Sequence, residues 1–338
     1  MLNSLYPLKF TPRIFHKLWG GQTIRKWYSN VPSQFENVGE SWLISAVDKF
    51  PTEVCNGPLA GNELEDLLEV YMDELVGNAV YERFGNTFPL LFKFIDAADD
   101  LSIQVHPDDE NAWELEQSMG KTEMWYVMPS DENASVIAGW KTPMDEAQIR
   151  DAIRNGSLAE RLVTRPVKEG DAVMIHAGLV HALNRGTIVA EIQENSDITY
   201  RLFDYDRVGN DGLKRPLKLD HALRVMNFEQ ADPAVISHHE AERNQAANIV
   251  STDYFTTNII RFDKPVARDY APLDSFVVYM CVRGACEVEA PEADETERVQ
   301  CLQVGEALLL PAILNDITLR PTTGECRLLE IYIDKIED

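Results

Sequence analysis

Two hydrophobic periods alternate along this chain, and each change of period predicts a change of secondary structure. From about 62 to 84 the period is helical. Leu64, Leu67, Leu68, Tyr71, Met72 and Leu75 return at three- and four-residue spacing, and Gly77-Asn78 is placed to divide the run into two helices. Residues 108–117 carry a helix start, with acidic side chains after Pro107 where the helix dipole favours them. A third helical insertion is predicted over 142–165, opening at Thr142-Pro143 and carrying a stop signal at Asn155-Gly156.

Elsewhere the period is two, or the stretch is apolar throughout. Residues 39–46 and 170–176 read as strands, and 88–96 as a nearly continuous apolar strand broken by Lys93. A lysine there must reach water at a sheet edge or face a cleft, because a buried unpaired charge is costly. In 101–108 the alternation sends Ile103 and Val105 to one face and Gln104 and His106 to the other. Between about 227 and 250 the alternation fades, and Asp232-Pro233 and His238-His239-Glu240 mark a surface linker, placed at 231–250. It returns beyond, with strands predicted near 254–262, 276–282, 285–289, 307–310 and 327–333. The stretches 170–181 and 305–316 share a glycine–acid–alanine opening, an apolar strand and a small-residue turn, with Asp316 where the first copy has His181. The pattern predicts a mainly β chain of two domains, 1–230 and 251–338, built on a repeated module with the helices confined to the first.

Candidate chemistry gathers around Gln104 and His106. Glu123 lies in a second strand-like run, His181 ends another, and a polar stretch with Glu191 and Arg201 follows. An amide, two imidazoles and a carboxylate suit a borderline metal such as zinc, with positions left for water or substrate. The formal net charge of −25 excludes nucleic acid and anionic membrane surfaces as expected partners. No apolar run approaches the ~20 residues that span a bilayer, and the N-terminus lacks a signal-peptide pattern. Five cysteines, an odd count without a Cys-x-x-Cys pair, read as reduced thiols of a cytoplasmic protein. An anionic substrate would be repelled by such a chain unless its site were locally positive, and Lys93, Lys121 and Arg201 could make it so.

Residues 19–21, 39–42, 88–96, 101–109, 120–125, 177–182 and 191–201 together resemble the cupin proteins. Within them the chain is similar to the type I mannose-6-phosphate isomerases in their short bacterial form. The resemblance implies two cupin-type jelly-roll barrels with helical insertions in the N-terminal half, the C-terminal barrel degenerate and without metal. It implies one zinc ion per chain on Gln104, His106, Glu123 and His181, with Gln104 in or beside the ligand set. Arg201 falls at the family's catalytic arginine, while Lys121 and Glu191 match a lysine and an acid lining its pocket. The implied reaction interconverts mannose 6-phosphate and fructose 6-phosphate through an enediol, with Glu191 or a hydroxide on the metal as base. Lys93 and Ser102 are the candidates for gripping the phosphate. One departure is His176, where the family usually has proline; it is read as a supporting residue rather than a ligand. Two other readings remain open at this level: a non-catalytic cupin that binds metal and sugar, and another cupin metalloenzyme such as an iron oxygenase with a two-histidine, one-carboxylate triad. Oligomeric state is not legible.

Overall fold

A computed structural model describes residues 4–29, 31–209, 212–230, 235–236 and 242–335, with only the backbone at 235–236. Asp232-Pro233 and His238-His239-Glu240 lie outside the described residues. The chain forms two compact units that do not follow its order. One comprises Ile14–Ser41 and Phe92–His238; the other comprises Met1–Arg13, Trp42–Leu91 and His239–Asp338. The helices Leu64–Val76 and Asn78–Phe84 thus group with the C-terminal strands rather than with the N-terminal domain that their position suggests. Helical periodicity reports that an apolar stripe exists, not which sheet it covers.

Two antiparallel sheets supply most of the first unit. One runs in the order Arg13–Phe15, Glu40–Ile44, Leu90–Ala97, Thr187–Glu194, Glu123–Val127, Ala172–Ile175 and Val235–Ile236. The other runs Tyr200–Phe203, Ile103–Val105, His181–Leu183, Ser135–Trp140 and Leu162–Pro166. Between the sheets lie Ile95, Trp125, Val127, Val173, Ile175, Leu183 and Val189. The second sheet also buries its back. Ile103, Val105, Tyr200 and Leu202 pack there with Ile149 and Ala152 of the helix Glu146–Arg154 and Ala222 and Leu223 of the helix Leu219–Val225. A reciprocal capping box opens the first of these helices, Asp145 accepting from Gln148 N at 2.8 Å and Gln148 accepting from Asp145 N at 2.9 Å. Because Ile103 and Val105 are claimed by these helices, alternation turns Gln104 inward.

The second unit repeats this order. Its sheets run Gln245–Ser251, Thr256–Phe262, Cys326–Tyr332, Val277–Arg283, Ala307–Leu310 and, facing a separate ladder, Val266–Asp269, Asp316–Pro321, Ala285–Glu289, Val299–Gln303. Strand for strand these match Glu40–Ile44 through Ala172–Ile175 and Ile103–Val105 through Leu162–Pro166. The registers agree as well. Glu191 lies opposite Trp125, which lies opposite Val173. Glu330 lies opposite Tyr279, which lies opposite Leu308. Val173 and Leu308 are the positions paired by the 170–181 and 305–316 echo.

Three expectations change. Residues 245–250, assigned to the linker, belong to the strand Gln245–Ser251, whose Gln-Ala-Ala-Asn start gives little hydrophobic contrast. Met72, read as part of a core stripe, is 44% exposed and stands at φ 47° where the helix kinks. Strands at Val266–Asp269, Val299–Gln303 and Asp316–Pro321 were not predicted; their exposed, polar positions mask the alternation. The division at Gly77 is as the sequence indicates, with φ 92° between the two helices. Among the described residues no helix is long and apolar enough to cross a membrane. Cys281, Cys286 and Cys326 are buried and Cys55 and Cys301 exposed, all as free thiols.

Candidate active site

Between the two sheets of the first unit, the structure brings His106, Glu123 and His181 together with one ligand atom from each within 4.8 Å of the others. His106 follows the strand Ile103–Val105, His181 begins its neighbour, and Glu123 begins a strand of the opposite sheet. Gln104 and His181 are direct register partners. All three of the clustered side chains are buried, His106 at 1% and Glu123 and His181 at 0% exposure.

Backbone carbonyls decide the histidine tautomers. Nδ1 of His106 meets the Ile198 carbonyl at 2.8 Å, and Nδ1 of His181 meets that of Leu179 at 2.8 Å. A carbonyl only accepts, so both Nδ1 atoms carry the proton and both Nε2 atoms present lone pairs. Those two nitrogens lie 3.2 Å apart and point toward one carboxylate, Glu123, at 3.7 and 3.4 Å. Burial keeps the imidazoles neutral, assisted by the Lys121 ammonium; His106 is held well below its ordinary range and His181 at about 4. Neither oxygen of Glu123 receives a well-formed hydrogen bond. Burial raises this carboxyl to about 7 against the opposing pull of Lys121.

Two imidazole lone pairs facing each other beside a buried carboxylate is an unfavourable arrangement that a metal cation would resolve. Tetrahedral zinc, with Zn–N near 2.0–2.1 Å, holds imidazole nitrogens about 3.3 Å apart. The donor set therefore fits a transition metal. Carbonyl partners on the far nitrogens are also what orients metal-binding histidines. Gln104 lies next to the pair, its amide nitrogen 3.5 Å from His106 Nε2 and 3.4 Å from His181 Nε2. Its oxygen accepts from the Ser102 hydroxyl at 3.2 Å.

Positive charge surrounds this centre. Lys121 Nζ sits 2.9 Å from Glu123 and 3.2 Å from His106 Nε2; burial disfavours its charge, but Glu123 and Glu191 outweigh that and raise its pKa. Lys93 is buried, not at a sheet edge, and its Nζ lies 3.1 Å from Glu191 and 2.5 Å from the Gln193 amide oxygen. Burial lowers the Lys93 pKa, with Glu191 opposing. Burial likewise opposes the charge of Glu191, yet Lys93, Lys121 and the Trp125 indole, which donates at 3.0 Å, hold it at about 2. Arg201 is the register partner of Gln104. Its Nε is buried without an acceptor, and burial followed by the nearby Arg215 lowers its pKa. Nearby acids are engaged elsewhere: Asp204 pairs with Arg207 at 2.8 Å and Arg215 at 2.5 Å, and Asp206 pairs with Lys214 at 2.5 Å. His176 is exposed and outside the cluster.

Sequence reasoning passed over Gln193 and Trp125. The signal was present: Gln193 is two residues from Glu191, and Trp125 two from Glu123, so alternation places each on the same inward face. Trp125 also packs edge-on against His181, with ring centroids 5.5 Å apart.

Two copies of one antiparallel strand order, with a histidine–carboxylate–histidine cluster inside the first, define a mainly β protein with a candidate metal site. Residues 8–138 match the family described as phosphomannose isomerase type I, catalytic domain. The mannose-6-phosphate isomerase of Streptococcus mutans is 36% identical over 251 residues, covering 74% of this chain and 77% of the relative. Mannose-6-phosphate isomerase ManA of Bacillus subtilis is 35% identical over 247 residues, covering 73% and 75%. A crystal structure of mannose 6-phosphate isomerase from Bacillus subtilis superposes with a TM-score of 0.81 at 31% identity, covering 97% of this chain and all of that one. The chain belongs to the type I mannose-6-phosphate isomerase family.

Proposed function

We propose that this chain is a zinc-dependent aldose–ketose isomerase that interconverts mannose 6-phosphate and fructose 6-phosphate through an enediol. The observation that carries the reading is the pair of Nδ1-protonated histidines aimed at Glu123 beside the acceptor-free Nε of Arg201. His106, Glu123 and His181 would hold the metal, with Gln104 in or beside the ligand set. Zinc bound there would supply Lewis acidity toward the sugar oxygens at C1 and C2.

The remaining work falls to the protein's own groups. Moving a proton between C1 and C2 leaves negative charge on oxygen in the transition state. Arg201 is the fixed cation for that charge, since the Nε of its guanidinium is buried and lacks an acceptor. Lys121, fixed between Glu123 and His106, is a second cation on the reacting end. Glu191 is the proton acceptor in this proposal. Lys93 keeps it ionised but weakly basic, so an anionic substrate that competes for the Lys93 ammonium raises the basicity of Glu191. Ser102 and Lys93 are assigned to the phosphate. Together the cations give an inward-facing positive field within a chain of net charge −25, which draws a phosphosugar to the cleft. Turnover of mannose 6-phosphate by purified protein, before and after chelation, tests the reading; no turnover with the metal present would overturn it.

A further inference from the structure

The segment Gly120-Lys121-Thr122, which leads into the strand Glu123–Val127, is held with unusual completeness for a loop. Its three successive amides all donate: Gly120 N to Asp109 Oδ1 at 2.9 Å, Lys121 N to the Pro107 carbonyl at 2.9 Å, and Thr122 N to Glu194 Oε2 at 2.6 Å. Glu194 N donates in return to the Thr122 carbonyl at 3.2 Å. Gly120 has no slack, for a Cβ on it would lie 2.6 Å from Asp109 N. Glu194 is 2% exposed, and its second oxygen receives no hydrogen bond.

Burial first and the charge of Asp109 second raise the Glu194 carboxyl to about 8. We propose that Asp109 and Glu194 are positioning residues that clamp the 120–122 loop by accepting from its Gly120 and Thr122 amides, thereby fixing Lys121 over the reacting end of the substrate. The proposal rests on the reading of Lys121 as an active-site cation. Its physical basis is that lysine reaches the site through a flexible four-carbon stem, so its placement depends on how rigidly its backbone is held.

The test is a double-mutant cycle on the zinc-loaded enzyme, with metal content measured for every variant. Glu194→Gln keeps an acceptor for Thr122 and should retain kcat within about threefold of wild type. Glu194→Ala should lower kcat roughly 10- to 100-fold with a smaller change in KM, the scale of a misplaced catalytic group. In a Lys121→Ala background the same Glu194→Ala change should cost less than about threefold, since nothing remains to be positioned. Equal damage from Glu194→Gln and Glu194→Ala would overturn the acceptor role of Glu194 toward Thr122. Fully multiplicative losses in the double variant would overturn the clamp and leave Glu194 a structural residue. A wild-type rate for Glu194→Ala beside a damaged Lys121→Ala would also refute the clamp while keeping the Lys121 reading. A wild-type rate for Lys121→Ala would remove that reading itself. If Glu194→Ala does not fold, Asp109→Ala, on the exposed side of the pair, carries the same cycle with the same expectations.

Discussion

Arg201 and Lys93 carry the same charge in opposite circumstances. Arg201 has a buried Nε with nothing to donate to, whereas Lys93 is already spent on Glu191 and Gln193. A cation waiting for charge that develops during reaction should act on kcat. Arg201→Ala is therefore expected to lower kcat roughly 10²–10³-fold with a smaller rise in KM, and Arg201→Lys to recover only part, because a point charge lacks the planar fork. Steady-state kinetics at matched metal content check this; a kcat within a few-fold of wild type would reassign Arg201 to structure. Lys93→Met should act mainly on KM at neutral pH. It should also move the acid limb of kcat/KM. Glu191 sits at about 2, so its carboxylate persists until the pH falls toward that value. Removing the Lys93 cation raises that pKa, and protonation, with loss of activity, then begins at higher pH. An unmoved acid limb would separate Glu191 from the base role.

At the scale of elements, the junction of the helices Leu64–Val76 and Asn78–Phe84 depends on one residue. Gly77 stands at φ 92°, and a Cβ there would lie 2.3 Å from the Asp274 carbonyl oxygen. Gly77→Ala combines left-handed strain, about 1–3 kcal/mol, with a backbone overlap. It should lower the urea midpoint clearly while leaving kcat per folded molecule unchanged, since the candidate site belongs to the other unit. An unchanged midpoint would contradict the strain argument. The sequence is explicit here because glycine at a break in a helical stripe has a local cause. It is much less explicit at Gln245–Ser251, where Ala246, Ala247 and Asn248 owe their strand to pairing with Thr256–Phe262. Alternation did place Gln104 and His106 on the inward face, because helices cover Ile103 and Val105. What a local pattern could not convey was Lys93 meeting Glu191, 98 positions away by their numbers, across neighbouring strands. Nor could it convey the carbonyls of Ile198 and Leu179 that fix the histidine tautomers.

For the whole molecule, the repeated strand order gives two interiors of different chemistry. At the position equivalent to Glu191, the second unit keeps a carboxylate, Glu330, with 0% exposure. Among the described residues its hydrogen-bond partners include no histidine. Arg268 contacts both its oxygens at 2.8 and 3.0 Å, Asn258 donates at 2.8 Å, and Tyr270 donates as well. A guanidinium thus serves Glu330 as the Lys93 ammonium serves Glu191, and Val277 stands at the position of the candidate ligand Glu123. We expect one tightly held metal per chain, and Arg268→Ala to destabilise the protein by about 3 kcal/mol or more, as expected when a buried pair loses one partner. Metal analysis and denaturant melts check both; two equivalents per chain would contradict the first. The echo between 170–181 and 305–316 made this repeat visible in the sequence, but not the grouping of residues 42–91 with the C-terminal strands, which is a property of packing alone.

The most direct test of the central claim is isomerisation of mannose 6-phosphate by wild type and His106→Ala, each stripped of metal and then titrated with zinc. The account predicts that stripped wild type is inactive and regains full activity at one equivalent. His106→Ala should remain folded, bind zinc weakly and recover little. Full activity in the stripped protein, or full recovery of His106→Ala with zinc, would contradict it.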